Sequence, residues 1–181
     1  KKDHPKEFLK DFEGTIVTYG YQSYHGLAKE SEGRIKVAGC WVHTLRKYKD
    51  AIKSMDKSGL NTAAGTLASK AIGMIQTMMH KDNQLDDLSP EERYEQRKEK
   101  IAPLVDEYFD WVKENRPNVT RQSKTGKAFT YSVEQEQYLR EFLSDGNIPM
   151  ENNAALCEGI TYPHLRTEVL ANTEFQIKRC G

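Results

Sequence analysis

Apolar residues recur along the chain with two different spacings, and the spacing changes from block to block. Two short runs rich in β-branched and aromatic residues, 15–19 and 34–40, have the composition of strands. Apolar stripes of helical period lie before, between and after them, the first over residues 5–13. This order of helix, strand, helix, strand and helix predicts two parallel strands joined by a right-handed crossover.

From residue 56 to residue 145 the apolar spacing is helical. One long helix carries its apolar face over residues 60–78, and residues 89–92 (Ser-Pro-Glu-Glu) open the next. That opening combines a serine cap, a proline in the first turn and an acid three residues after the cap. Pro103 lies inside this helix and is expected to kink or split it. A polar connection, 115–127, leads to a last helix.

These blocks predict an α/β, mostly helical chain in four parts. The parts are a partial α/β core over 1–55, a helical insertion over 56–145, a return segment toward the core over 146–155 and an irregular tail over 156–181. A short strand around Val169 stays open as an alternative within the tail. Because a two-stranded parallel sheet is marginal alone, either further strands lie upstream or another chain completes its edge.

Charge and cysteine content argue against some classes of protein, such as strongly basic nucleic-acid binders and disulfide scaffolds. The 181 residues include 27 Lys+Arg and 27 Asp+Glu, so the formal net charge is zero. Nucleic-acid binding must then come from local basic patches, because the chain as a whole is not basic. Three scattered cysteines indicate a reducing compartment rather than a disulfide scaffold. No apolar run approaches the ~20 residues of a membrane span, so we expect no membrane contact.

Two groups of cationic side chains are the candidate nucleic-acid contacts. His43, Arg46 and Lys47 come at the start of the helix after the second strand, where phosphates can be bound. The alternative is an ordinary solvated helix face. The second group is a basic loop made of Arg121, Lys124 and Lys127. A plain polar connection is the alternative there.

Other chemistry-bearing residues favour structural interpretations. Cys40 and His43 form Cys-x-x-His, half of a zinc site, but no second pair has a suitable spacing, so we predict no metal there. The charge-rich stretch 91–100 is interpreted as a solvated helix face. Tyr21 and Tyr24 could stack on bases, but packing beside the strand is the favoured interpretation.

Five segments, taken together and in order, carry a resemblance. They are residues 18–24 (Thr-Tyr-Gly-Tyr-Gln-Ser-Tyr), 38–48 (Ala-Gly-Cys-Trp-Val-His-Thr-Leu-Arg-Lys-Tyr), 88–104 (opening Leu-Ser-Pro-Glu-Glu-Arg), 126–131 (Gly-Lys-Ala-Phe-Thr-Tyr) and 142–155 (Phe-Leu-Ser-Asp-Gly-Asn-Ile-Pro-Met-Glu-Asn-Asn-Ala-Ala). Over roughly residues 5–155 the chain thus resembles transposases of the insertion-sequence 66 family. The residues that match the family's short motifs include Gly20, Tyr21, Cys40, Trp41, Asn152 and Asn153, with Glu151 in place of an Asp.

The resemblance implies a ribonuclease-H-like catalytic core. In that family three carboxylates, Asp-Asp-Glu, hold two divalent ions, Mg²⁺ or Mn²⁺. Two metals about 4 Å apart stabilise the attacking and leaving oxygens of a phosphoryl displacement. Family members use this chemistry to cut transposon ends and join them to target DNA. The implied partner is therefore DNA, and the implied location is the bacterial cytoplasm.

The sequence departs from the family at these carboxylates. The first Asp belongs to a strand upstream of residue 1, the second matches Tyr19, and the Glu matches Leu156. A phenol is a poor ligand for Mg²⁺, and Glu158 is two residues beyond the required position. We therefore expect an inactive transposase fragment that does not bind the metal ions. The alternative is a helical module that binds DNA, an intact transposase or a second copy of itself.

The tail carries one further hypothesis. The start at Lys1 without a methionine favours an internal fragment, and the family resemblance stops near Ala155. Codons can be chosen for residues 164–170 that, shifted by one base, spell Thr-Cys-Gly-Arg-Lys-Phe-Trp, close to a Gly-Arg-Lys-Asn-Trp stretch of the family. This suggests a frameshift near Ala155.

Overall fold

A computed structural model describes residues 9–18, 22–56, 66–151 and 168–171. Within these ranges three strands form one sheet: β1 (Gly14–Thr18), β2 (Ile35–Gly39) and β3 (Glu168–Ala171). The α-helices of the same ranges are α1 (Gln22–Glu30), α2 (Trp41–Asp56), α3 (Leu67–Asn83), α4 (Pro90–Lys100), α5 (Ala102–Asn115), α6 (Lys124–Glu134) and α7 (Glu136–Leu139). Short 3-10 turns cover Arg116–Asn118 and Glu141–Leu143. None of these helices combines the length and the apolar character that a membrane crossing requires.

The sheet has the strand order β2-β1-β3, so β1 is central. β1 pairs in parallel with β2, with Ile16 opposite Val37, and antiparallel with β3, with Ile16 opposite Val169. The α/β, mostly helical class and the two parallel strands are confirmed. β3 realises the alternative that sequence left open around Val169. It pairs with the edge of β1 that a two-stranded sheet would leave unpaired.

Both faces of the parallel strands are buried, as parallel strands require. Ile16 and Val37 belong to a small core that also contains Tyr24 of α1. Val17 and Ala38 belong to the main core, which the helices build on the other face. Adjacent residues of each strand therefore enter different cores. The interpretation of Tyr24 as a packed residue is confirmed, since only 5% of it is exposed.

The main core is aromatic and contains buried hydroxyl groups. Its largest fully buried side chains include Trp41, Tyr48, Tyr108, Phe109, Phe129 and Phe142. The Trp41 ring N–H donates to the Leu139 carbonyl at 2.9 Å. The Tyr108 hydroxyl lies 3.1 Å from the Tyr48 hydroxyl and 2.8 Å from the Ser132 hydroxyl, so these groups satisfy one another.

Helix ends follow local chemistry. Before α4, the Ser89 hydroxyl accepts from the Glu92 amide at 3.3 Å, and the Glu92 carboxylate accepts from the Ser89 amide at 3.0 Å. This is the predicted capping box. Pro103 splits the predicted long helix as expected, since α4 ends at Lys100 and α5 starts at Ala102.

Two expectations about helix extent differ from the structure. Of the helix predicted over 5–13, the described part is a turn closed by the Phe12 amide on the Leu9 carbonyl at 3.3 Å. The apolar stripe predicted as one helix up to Leu143 is three pieces: α6, α7 and the 3-10 turn Glu141–Leu143. The first break is at Gln135, where the backbone leaves helical geometry with ψ at 3°. Apolar spacing alone does not report such short interruptions.

Candidate nucleic-acid interface

The carboxyl ends of β1 and β2 meet at one edge, which we call the carboxyl edge. There the Cys40 amide donates to the Thr18 carbonyl at 3.1 Å, joining the start of α2 to the end of β1. The Trp41 amide donates to the Met150 carbonyl at 3.2 Å, so the return segment also reaches this edge. In open α/β sheets, ligands bind outside the carboxyl ends of the strands. The carboxyl edge is therefore the position where this fold would place a ligand or metal site.

The structure describes only some of the residues that we predict to match family motifs. Tyr19 directly follows the last residue of β1, but it lies outside the described residues, as does Leu156. The same holds for the motif residues Gly20, Tyr21, Asn152 and Asn153. Cys40 and Trp41, 1% and 0% exposed, are core residues that join α2 to the sheet, and Glu151 ends the described return segment.

The residues present do not fit a two-metal carboxylate centre. In the described ranges, no three His, Cys, Asp or Glu side chains are grouped so that they could hold a metal ion. At the positions that we predict to match the family's carboxylates, the sequence has the phenol of Tyr19 and the aliphatic chain of Leu156. Neither is an oxygen ligand that Mg²⁺ prefers.

Tyr131 of α6 links the two predicted cationic groups, because it packs against the first group on α2 and shares its helix with the second. The Lys47 ammonium lies 4.3 Å from the centroid of the Tyr131 ring, and the His43 ring lies 5.7 Å from it. Lys127 is one helical turn before Tyr131 on the same face of α6. We define the α2–α6 surface as His43, Arg46, Lys47, Lys124, Lys127 and Tyr131.

The prediction that Lys124 and Lys127 belong to a basic loop is wrong. Lys124 and Lys127 do not form a loop but lie in the first turns of a helix. The Ser123 hydroxyl caps this helix by accepting from the Gly126 amide at 3.0 Å. The sequence offered this signal, a serine directly before Lys124, but the polar composition of 115–127 outweighed it.

The electrostatics of the α2–α6 surface are positive. Arg46, Lys124 and Lys127 are exposed, and no described residue forms an ion pair with them. Burial, together with the charges of Lys47 and Arg46, lowers the pKa of His43, while Asp50 acts in the opposite direction. Burial raises the pKa of Tyr131, so its hydroxyl stays protonated. The surface thus combines cations with a half-buried aromatic ring.

A buried arginine holds the return segment in place. Arg97 of α4 is 1% exposed and makes a bidentate pair with Asp82, with donor–acceptor distances of 2.7 and 2.9 Å. Its remaining nitrogen donates to the carbonyls of Phe142 at 2.9 Å and Ile148 at 2.7 Å. We call this set the Arg97 clamp. The interpretation of 91–100 as a solvated face is therefore wrong for Arg97.

Arg93 and Gly146 complete this attachment. Arg93, one turn before Arg97, donates to the carbonyls of Asp86 at 2.7 Å and Gly146 at 3.2 Å. A Cβ on Gly146 would overlap the backbone carbonyl of Pro90, so only glycine allows this close approach. The spacing of Arg93 and Arg97 was the available signal, because residues four apart share a helix face.

Comparison with known proteins identifies the chain. Residues 1–156 match the family model described as Transposase IS66 family. The chain belongs to the IS66 transposase family. Two similar proteins come from Sinorhizobium fredii (strain NBRC 101917 / NGR234), where they are named uncharacterized proteins y4qI and y4hP.

The alignments with these two relatives cover most of this chain but only a minor part of each relative. Identity to y4qI is 29% over 150 residues, covering 80% of this chain and 26% of y4qI. Identity to y4hP is 24% over 159 residues, covering 84% of this chain and 29% of y4hP. The chain therefore spans less than a third of the length of these relatives. No solved structure matches it.

The segments that carry the IS66 resemblance meet in space. Trp41, from the second segment, contacts Met150, from the fifth, at the carboxyl edge. Arg93 and Arg97, from the third, hold the fifth against α4. Tyr131, from the fourth, packs on the helix that carries the second. Their common effect is to fix the return segment and α2 around one edge of the sheet.

Proposed function

We propose that this chain is a DNA-binding part of a bacterial transposase and does not itself cut or join DNA. The observation that supports DNA binding is the α2–α6 surface, where Lys47 and His43 lie against the Tyr131 ring and Lys127 is one helical turn before it. Cations fix a protein on the phosphate backbone, and their strength falls as salt rises. The proposed partner is the DNA of transposon ends, in the bacterial cytoplasm.

The catalytic half of the proposal concerns the metal ions. In the proposed ribonuclease-H-like arrangement, the carboxyl edge corresponds to the place where Mg²⁺ or Mn²⁺ would be held. Tyr19 and Leu156 supply no carboxylate, and the described part of the edge has no metal-binding group of side chains. The chain alone is therefore proposed to hold neither ion and to be inactive.

The binding half is tested by fluorescence anisotropy with a labelled duplex in a salt series. Arg46→Gln with Lys47→Gln removes two charges from the α2–α6 surface. Lys98→Gln with Lys100→Gln removes two charges from exposed positions of α4 and is the matched control. The first pair should weaken binding and lower the slope of log affinity against log salt by roughly 1.8, about 0.9 per lost contact. Equal behaviour of the two pairs, or no binding by the unmodified chain, would overturn this half.

The catalytic half is tested on supercoiled plasmid with Mg²⁺ or Mn²⁺. No nicked product is expected above the level seen in EDTA. Nicking that requires the metal and disappears with EDTA would contradict the proposal. Tyr19→Asp alone should also leave the chain inactive, because the other two carboxylates are still missing.

Two finer proposals complete this account. The family match ends at residue 156, where the sequence permits a shifted reading frame, so we propose a fragment with a frameshift near Ala155. Reading the encoding DNA in all frames tests the frameshift, and a shifted frame without family motifs would reject it.

The second candidate function is a module that binds a second copy of itself or an intact transposase. Light scattering of the chain alone and mixed with that transposase would detect either complex.

A further inference from the structure

The exposed side of α2 carries cations that extend beyond the α2–α6 surface. Arg46, Lys49 and Lys53 are exposed, and their spacing of three and then four residues places them on one face of the helix. No described residue forms an ion pair with any of them. The other side of α2, with Leu45 and Tyr48, is buried in the main core. We call the three exposed cations the α2 row.

The length of the α2 row suits a DNA strand. Arg46 and Lys53 are separated by about 10 Å along the helix axis, at 1.5 Å per residue. One strand of duplex DNA carries a phosphate about every 3.4 Å along the duplex axis. A helix that lies along the strand therefore brings the row within reach of about three successive phosphates.

Asp50 is an exposed acid on the same side of α2, between Lys49 and Lys53. Its carboxylate would repel a phosphate next to the α2 row. The three cations of the row still outnumber it, so this side of the helix keeps a net positive charge. Asp50 therefore weakens DNA binding by the row without abolishing it.

The helical bundle has opposite charge on opposite sides. α2 and α5 each pack along both α3 and α6, and they face each other across the core, where the rings of Trp41 and Tyr108 have centroids 5.3 Å apart. On α4 and α5, eight exposed carboxylates stand against three exposed lysines. The field of this net-neutral chain therefore turns DNA toward α2 and away from α5.

We infer that α2 lies along the phosphate backbone of duplex DNA, with the α2 row on successive phosphates of one strand. The inference rests on the proposed DNA binding and adds Lys49 and Lys53 to its contacts. Lysine and arginine on phosphates fix the position of a protein on the duplex but carry no sequence information. This contact is therefore the same for DNA of any sequence.

Asp50→Asn tests the inference through a gain of affinity, which a damaged fold would not give. Without the carboxylate, binding of a labelled duplex should become about two- to fivefold tighter, the usual effect of one exposed charge. Asp110→Asn, the same change at an exposed position of α5, is the matched control and should leave the affinity unchanged. Equal affinities of the two variants would overturn the inference.

Lys49→Gln with Lys53→Gln tests the contact with the backbone on two duplexes of unrelated sequence. The pair should weaken binding to both duplexes by the same factor, roughly tenfold, and lower the salt slope by roughly 1.8. Lys98→Gln with Lys100→Gln is again the control. Factors that differ by more than about threefold between the duplexes would show base recognition and contradict the inference.

These variants also separate the inference from the proposed function. If Arg46→Gln with Lys47→Gln weakens DNA binding but Lys49→Gln with Lys53→Gln behaves like the control, the α2 row inference fails and the proposed function stands. If the unmodified chain binds neither duplex, both fail.

Discussion

The Arg97 clamp and the α2–α6 surface are both built from cations, but their surroundings differ completely. Arg97 is 1% exposed, and its three side-chain nitrogens all donate to protein acceptors. Arg46 is exposed and makes no ion pair with a described residue, while Lys47 lies over an aromatic ring. A cation whose donors are all used by the protein serves the fold. A cation that faces water keeps its donors for a ligand.

The largest expected effect is the loss of stability when Asp82, the carboxylate of the Arg97 clamp, is replaced. Asp82→Ala leaves the Arg97 charge buried without its carboxylate, so the free energy of unfolding should fall by about 3–5 kcal/mol. Urea denaturation measures this change. The control is Glu95→Ala, which removes a pair between exposed side chains and should change stability by less than about 1 kcal/mol. Similar values for both variants would show that Arg97 is not a structural cation.

Gly146→Ala tests the fit between the return segment and α4. The added methyl group overlaps the Pro90 carbonyl, so we expect a loss of about 1–3 kcal/mol. Gly73→Ala is the same chemical change in α3, where the added carbon meets no atom within 4 Å apart from its chain neighbours and the backbone of its own helix. It should stabilise by about 0.5–1 kcal/mol because alanine favours a helix. Thermal or urea unfolding of both variants decides the prediction, and a tolerated Gly146→Ala would reject the close approach.

Ser89→Ala removes the cap that starts the clamp-bearing helix. A loss of about 1 kcal/mol in unfolding free energy is expected, typical of a lost serine cap. The backbone hydrogen bond from Ser89, and then the hydroxyl, lowers the pKa of Glu92. Glu92 therefore stabilises the fold above its unfolded pKa, and this contribution disappears as pH falls through its folded pKa. The Glu92 titration should change little, because alanine keeps the backbone amide that donates to Glu92. An unchanged free energy of unfolding in Ser89→Ala would contradict the hydroxyl half of the capping box.

The smallest expected effect is at His43 on the α2–α6 surface. Its folded pKa lies below the ordinary value of 6.5, so the unfolded state binds the proton more readily. His43 therefore lowers stability as pH falls through its unfolded pKa. Removing the charges of Arg46 and Lys47 should raise the folded pKa, and bound DNA should raise it further. NMR titration of the His43 ring measures both shifts; a fall in either case would contradict the proposed electrostatics.

Sequence predicted the elements better than it predicted what the charged residues do. Strong local signals, such as the Ser-Pro-Glu-Glu opening and Pro103, gave the right helix ends because their chemistry acts within one turn. The role of Arg97 was missed because Asp82 and Ile148 lie far from it along the chain. The meeting of His43, Lys47 and Tyr131 was missed for the same reason: packing between distant helices creates it.

The most direct test of the division between the two cation sets is an NMR titration of the isotope-labelled chain with duplex DNA. Side-chain and amide signals of His43, Arg46, Lys47, Lys127 and Tyr131 should shift as DNA binds. The Nε signal of Arg97 should stay in place, because its donors are already used within the protein. Shifts that begin at Arg97, or an unchanged α2–α6 surface in the presence of bound DNA, would contradict the account.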